Sequence, residues 1–315
     1  MSLVPTIGAV LIGNYFSAAL YGLTTLQVYL YFRKRRRTDS FRLQAFIFYI
    51  WILETFHVVQ LVIFLFRDLI LNFGHPEALE VTKKSDDVTT AVTGLIIFSV
   101  HLFYIRRLWI LSEGASYRVI LVVVTTSLAI THFGLELGVM ALTFKYPNFS
   151  QFRKITGAYT GSLAVAAACD ILIAVAMWYL LDSRRSGVKK TNTMVDRIIT
   201  FVLITGTLTS VVDIVILICF VAMPDNLVYL AIFNFINNLY VNSLLAMINA
   251  RESLGKMSLG ATTSFALSDL RSSENTASVP EVRFGGRNNV SEMMFTPQKS
   301  ASGLETFDSE NASRV

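Results

Sequence analysis

Apolar residues along this chain collect into seven long runs, near Pro5 to Phe32, Leu43 to Phe66, Val88 to Leu108, Val119 to Phe144, Ala158 to Leu181, Ile198 to Phe220 and Leu227 to Ile248. A helix rises about 1.5 Å per residue and the hydrocarbon core of a bilayer is about 30 Å thick, so about 20 apolar residues suffice to cross it. Every run meets that length. The pattern predicts an all-α fold, a bundle of seven transmembrane helices over residues 1–250. Composition agrees: 53% of residues are hydrophobic and 16% charged, whereas a soluble domain carries about a quarter charged residues.

Basic residues orient the bundle, because cytoplasmic flanks retain Lys and Arg. The gaps after the first, third and fifth runs hold Arg33, Lys34, Arg35, Arg36, Arg37 and Arg42, then Arg106, Arg107 and Arg118, then Arg184, Arg185, Lys189, Lys190 and Arg197. The other side has Arg67, Lys83, Lys84, Lys145, Arg153 and Lys154. Fourteen against six predicts an amino terminus outside and a carboxyl terminus in the cytosol. No charge precedes the first run and a basic stretch follows it, the layout of a retained signal anchor. The net charge of +5 thus points to anionic lipid head groups beside the inner loops and not to nucleic acid. An integral, multi-pass location follows, in the plasma membrane or an endomembrane.

The orientation places Asn148-Phe149-Ser150, an N-x-S glycosylation acceptor, in the outer loop between helices four and five. Cys169 and Cys219 are the only cysteines and both lie inside spans, so the outer loops have no disulfide. The outer segment Asn72-Phe73-Gly74-His75-Pro76 reads as a structured turn. From 251 to 315 the chain changes character, with 17 Ser or Thr in 65 residues. That composition predicts a disordered cytoplasmic tail. Thr296, followed by Pro297, is its phosphorylation candidate, and added phosphate would repel an anionic membrane surface.

Ionisable side chains inside a span cost several kcal/mol and usually face the bundle interior. Helix two carries Glu54 and His57 three residues apart on one face, with Gln60 beyond, and helix four carries His132 and Glu136 four apart. His101, Asp170 and Asp213 lie in helices three, five and six. Each carboxylate and imidazole pair has two readings, a site for a proton, a cation or a cationic ligand group, or an interhelical hydrogen bond that fixes packing. Asn234, Asn238 and Asn242 form a stripe along helix seven that either lines a water-filled path or stitches the helix to a neighbour. Gly157, Gly161, Ala164 and Ala168 on helix five predict a close helix approach beside Asp170. Trp109, Trp178 and Tyr179 fall near inner helix ends, as an interfacial belt would.

A set of short segments points further: Ile12-Gly13 and Leu20-Tyr21-Gly22; Glu54 with His57; Asn72-Phe73-Gly74; the run 166–170, Ala-Ala-Ala-Cys-Asp; the run 186–191, Ser-Gly-Val-Lys-Lys-Thr; the run 223–226, Met-Pro-Asp-Asn; and the run from Tyr240 to Arg251. Together they resemble a large fungal family of seven-helix membrane proteins catalogued as domain of unknown function 6534. The resemblance spans nearly the whole bundle, is strongest from helix five to Arg251, and implies a fold and a membrane location without a mechanism.

No segment carries a catalytic, nucleotide-binding or metal-binding signature, so neither enzyme activity, nor a cofactor, nor a bound metal is expected. The first expectation is a receptor-like or sensory protein coupled to a cytosolic transducer through its basic inner loops. It lacks the Asp-Arg-Tyr and Asn-Pro-x-x-Tyr marks of the best-known receptor class, reading Tyr104-Ile105-Arg106-Arg107 at the end of helix three, and no span holds a lysine for a retinal Schiff base. The second is a transporter or channel for protons or a small solute. The third, an intramembrane metal-dependent hydrolase, would draw His57, His101, His132 and Asp170 from four helices without a local ligand motif.

Overall fold

A computed structural model describes residues 7–35, 39–75, 84–148, 151, 154–183, 189–223 and 226–249. The tail from 251, Thr296 included, lies outside the described residues. Among them the chain forms seven helices: α1 Ala9–Arg35, α2 Phe41–Phe66, α3 Lys84–Leu111, α4 Arg118–Lys145, α5 Thr156–Asp182, α6 Lys189–Ala222 and α7 Val228–Asn249. Six are long and apolar enough to cross a membrane. The described apolar part of α6, Gly206–Ala222, is shorter.

The apolar runs mark the helices to within a few residues everywhere except at the start of α6. Lys189, Lys190 and Arg197, read from sequence as loop residues, lie in its first turns. Hydropathy locates the part of a helix that sits in lipid, and a polar extension beyond it leaves no apolar signal. A π-helical turn, Arg67–Leu71, extends α2, and the chain then turns through Asn72–Gly74 with Gly74 at φ +83° and the His75 amide donating to the Asn72 carbonyl at 3.0 Å. A positive φ there suits a residue without a Cβ.

Polarity is arranged inside out. The surfaces of α1, α2 and α4 present Ile12, Phe16, Val62, Ile120 and Val123 outward, while Asn14, Glu54, His57, His132 and Glu136 face inward. Lipid tails are as apolar as leucine, so apolar faces gain little by turning inward, whereas polar groups must find partners there. Hydroxyls such as Thr55, Ser99 and Thr125 also bond back to carbonyls four residues earlier in their own helices, and Ser112, just past the end of α3, does the same to Leu108. Of the most apolar stretch of each helix, 72% is buried in α7 and 22% in α4, which makes α7 the central helix.

Close helix approaches depend on small residues, though not the ones the sequence singled out. Gly157 meets nothing near its Cβ position, Ala164 and Ala168 are exposed, and a Cβ on Gly161 would stand 3.9 Å from the Leu135 side chain of α4, an ordinary contact, so most of that stripe of α5 faces outward. The tight α5 contact is with α6, where a Cβ on Gly206 would stand 2.8 Å from that of Ala174. Gly94 of α3 presses on the Glu136 side chain of α4, and Gly13 of α1 on the Ala231 backbone of α7. The helical spacing was correct; the face was set by neighbours that spacing cannot name.

Candidate functional site

All eight intramembrane candidates are buried, none more than 6% exposed. They fall into three groups. The first joins α1 to α7. Asn234 donates to Asn14 at 2.8 Å, Ser17 donates to Asn238 at 2.8 Å, and Gln27 donates to Asn242 at 3.0 Å. Asn242 donates in turn to the Leu20 carbonyl and Asn249 to that of Gln27. Partner numbers rise together along both helices, so α1 and α7 run parallel, and the asparagine stripe is a seam between them.

The second group centres on Glu54. Its spacing from His57 puts both on one face of α2, yet neither partners the other. Glu54 instead accepts from Asn238 at 2.5 Å and Asn237 at 3.4 Å on α7. His57 is fully buried, and neither of its ring nitrogens has a hydrogen-bond partner among the described residues.

The third group, around Asp170, brings four helices together. One carboxylate oxygen of Asp170 faces His101 Nε2 of α3 at 2.9 Å. The other accepts from Thr209 of α6 and from the Tyr240 hydroxyl of α7 at 2.6 Å. That same hydroxyl lies 3.3 Å from Asp213 of α6. On the far side of His101, its ring stands 6.0 Å from that of His132. His132 approaches Glu136 at 3.7 Å, and Ser162 of α5 donates to Glu136 at 2.7 Å. Two imidazoles and three carboxyl groups thus occupy one buried network across α3 to α7.

The chemistry of this network follows from proton counting. A phenol has one hydrogen to donate, and Tyr240 stands between two carboxyl groups. When it donates to Asp170, its contact with Asp213 is a hydrogen bond only if Asp213 carries its own proton. When it turns to Asp213, Asp170 keeps Thr209 and His101. Two bonding patterns therefore fit one set of atomic positions.

Tyr240, Thr209 and Ser162 were not among the sequence candidates. A tyrosine hydroxyl far from either end of an apolar run needs a partner when buried, and that was the available signal. Threonine and serine gave none, since each can satisfy itself within its own helix. No group of three or more His, Cys, Asp and Glu among the described residues is arranged to hold a metal ion, and His57 lies apart from His101 and His132. Asn148 is half-buried where α4 gives way to the next loop, and its carbonyl accepts from the Gln151 amide; Phe149 and Ser150 lie outside the described residues. Trp109, Trp178 and Tyr179 are partly exposed, with the Arg118 guanidinium 3.6 Å from the centre of the Trp109 ring.

No curated protein and no solved structure matches the chain. Residues 166–253, which run from the middle of α5 past α7 and hold Asp170, Thr209, Asp213 and Tyr240, match the model of a family of unknown function, DUF6534, and at that level the resemblance read from the sequence holds.

Proposed function

We propose that this multi-pass membrane protein is a sensory, receptor-like protein whose responsive element is the Asp170 network. The observation that carries the reading is the single Tyr240 hydroxyl shared by Asp170 and Asp213. A change of proton or ligand at the pair exchanges one bonding pattern for the other, and α6, which contributes both Thr209 and Asp213, shifts against α5. On the orientation given by loop charge, the inner end of α6 adjoins a basic cytoplasmic loop, where a transducer would read that shift. Switches of this kind need two states of an element that differ in a few contacts.

Transport of protons or a small solute is the second reading, favoured by two small cavities at different depths. One of about 50 Å³ lies between α2, α3 and α7, lined in part by Leu61, Thr89 and Asn234. The other, of about 20 Å³, lies beside Asp170, Tyr240 and Ser243.

One reconstituted preparation tests both readings. Spin labels on the lipid-facing surfaces of α5 and α6 report their separation across a pH step, while a trapped dye reports proton flux. The sensory reading expects a separation that changes in the native chain and stays fixed in Tyr240→Phe, without flux above that of empty vesicles. Flux abolished by Asp170→Asn would establish transport instead, and a fixed separation without flux would reject both.

A further inference from the structure

We infer that the inward faces of α2, α3 and α7 form a binding site for a small monovalent cation of the ammonium type, separate from the Asp170 network. The cavity of about 50 Å³ supplies its entrance, walled by Leu61 on α2, Thr89 on α3, and Phe233 and Asn234 on α7. One helical turn deeper, four residues along each wall, stand His57, Thr93, and the pair Asn237 and Asn238. Contacts elsewhere confirm the level. Tyr49 meets Ser99 at 3.4 Å and Phe46 stacks on Phe103, a pairing that sets His57 beside Thr93 to within about a turn.

These deeper groups are buried and hold unused hydrogen-bonding capacity. Both nitrogens of His57, the Thr93 hydroxyl and the Asn237 carbonyl oxygen have no partner among the described residues, and His57, Thr93 and Asn237 are all fully buried. A neutral imidazole offers one acceptor nitrogen, a hydroxyl accepts through its lone pairs, and an amide oxygen only accepts. Glu54 beside them is the carboxyl group of the set and is bonded by neutral amides alone. Toward the outer end of the same helices, Arg67 is already paired with Asp68 at 2.7 Å, and Asp87 of α3 is buried. Acceptors exceed donors, and a carboxyl group stands without a cationic side chain. An ammonium ion, with four N–H donors and one positive charge, complements such a set. A cavity of this volume is also large enough to hold an ion about the size of a water molecule.

The test is thermal unfolding of the purified full chain in detergent, with ammonium chloride, sodium chloride and choline chloride compared at one ionic strength. Saturating ammonium should raise the midpoint by roughly 2 to 4 °C over choline, and Glu54→Gln should abolish the rise. An equal rise with sodium, also lost in Glu54→Gln, keeps a monovalent-cation site and overturns its preference for ammonium. No difference from choline, or a rise that survives Glu54→Gln, overturns it. Should Glu54→Gln fail to fold, Thr93→Val decides, with an expected loss of about tenfold in affinity and an unchanged affinity counting against the site. No residue is shared with the Asp170 network, so failure here leaves the sensory reading untouched, and the reverse.

Discussion

Two polar regions share α7, and they are built from different chemistry. Along α1 the partners are neutral amides and hydroxyls. Each amide carries its donor and acceptor by covalent structure, so the seam of Asn234, Asn238 and Asn242 with Asn14, Ser17 and Gln27 has no hydrogen to gain or lose. Around Asp170 the acceptors are carboxyl groups whose hydrogen is not fixed by covalent structure, and a lone phenol serves two of them. The first region is suited to holding helices in register. The second is suited to changing.

The largest effect that would sharpen this contrast is at Asp170. Asp170→Ala strips His101, Thr209 and Tyr240 of their common acceptor, and leaving such groups buried should cost about 3 kcal/mol or more in unfolding measured in mixed micelles. Asp170→Asn keeps the shape and one acceptor oxygen and should recover part of that loss. If Asn234→Ala on the seam side, which removes a neutral amide pair with Asn14, cost as much as Asp170→Ala, the two regions would not differ as argued. Next in size is Gly13→Val, which drives a side chain into the Ala231 carbonyl. Backbone cannot yield as a side-chain tip does, so about 1 to 3 kcal/mol is expected, with α1 displaced from α7 in cysteine cross-linking. Smallest is the coupling between Ser17 and Asn238. A double-mutant cycle with Ser17→Ala and Asn238→Ala should give about 0.6 kcal/mol, the usual scale of an interhelical hydrogen bond in a membrane. A coupling near zero would reduce the seam to shape alone.

Helix positions were legible because a span must be apolar over a fixed length, and nothing else in the chain is. Which residues are buried was legible for a related reason, since Glu54, His132 or Asp170 facing lipid would be costly. Their pairings were not. Glu54 and His57 share a helical face, yet Glu54 bonds to α7, because the rotation and height of one helix against another are set by contacts such as Gly13 on Ala231 and Gly206 on Ala174. Those depend on two distant segments at once. The mostly outward-facing stripe from Gly157 to Ala168 makes the same point from the other side: small residues permit close approach and do not choose the partner. Tyr240 gives little signal of a site in the sequence because tyrosines are common at membrane interfaces, and only its depth in α7 marks it as different.

The seam between α1 and α7 also sets a schedule for synthesis. Asn14 meets its partner 220 residues later in the chain, and at about 5 to 20 residues per second the ribosome needs roughly 10 to 45 s to deliver it. During that interval Asn14, Ser17 and Gln27 sit in a newly inserted helix with their lasting partners unmade. Either the insertion machinery shelters that face of α1, or other nascent helices hold it until α7 arrives and displaces them. Of the seven helices, α1 thus waits through the synthesis of the other six for its final bonds.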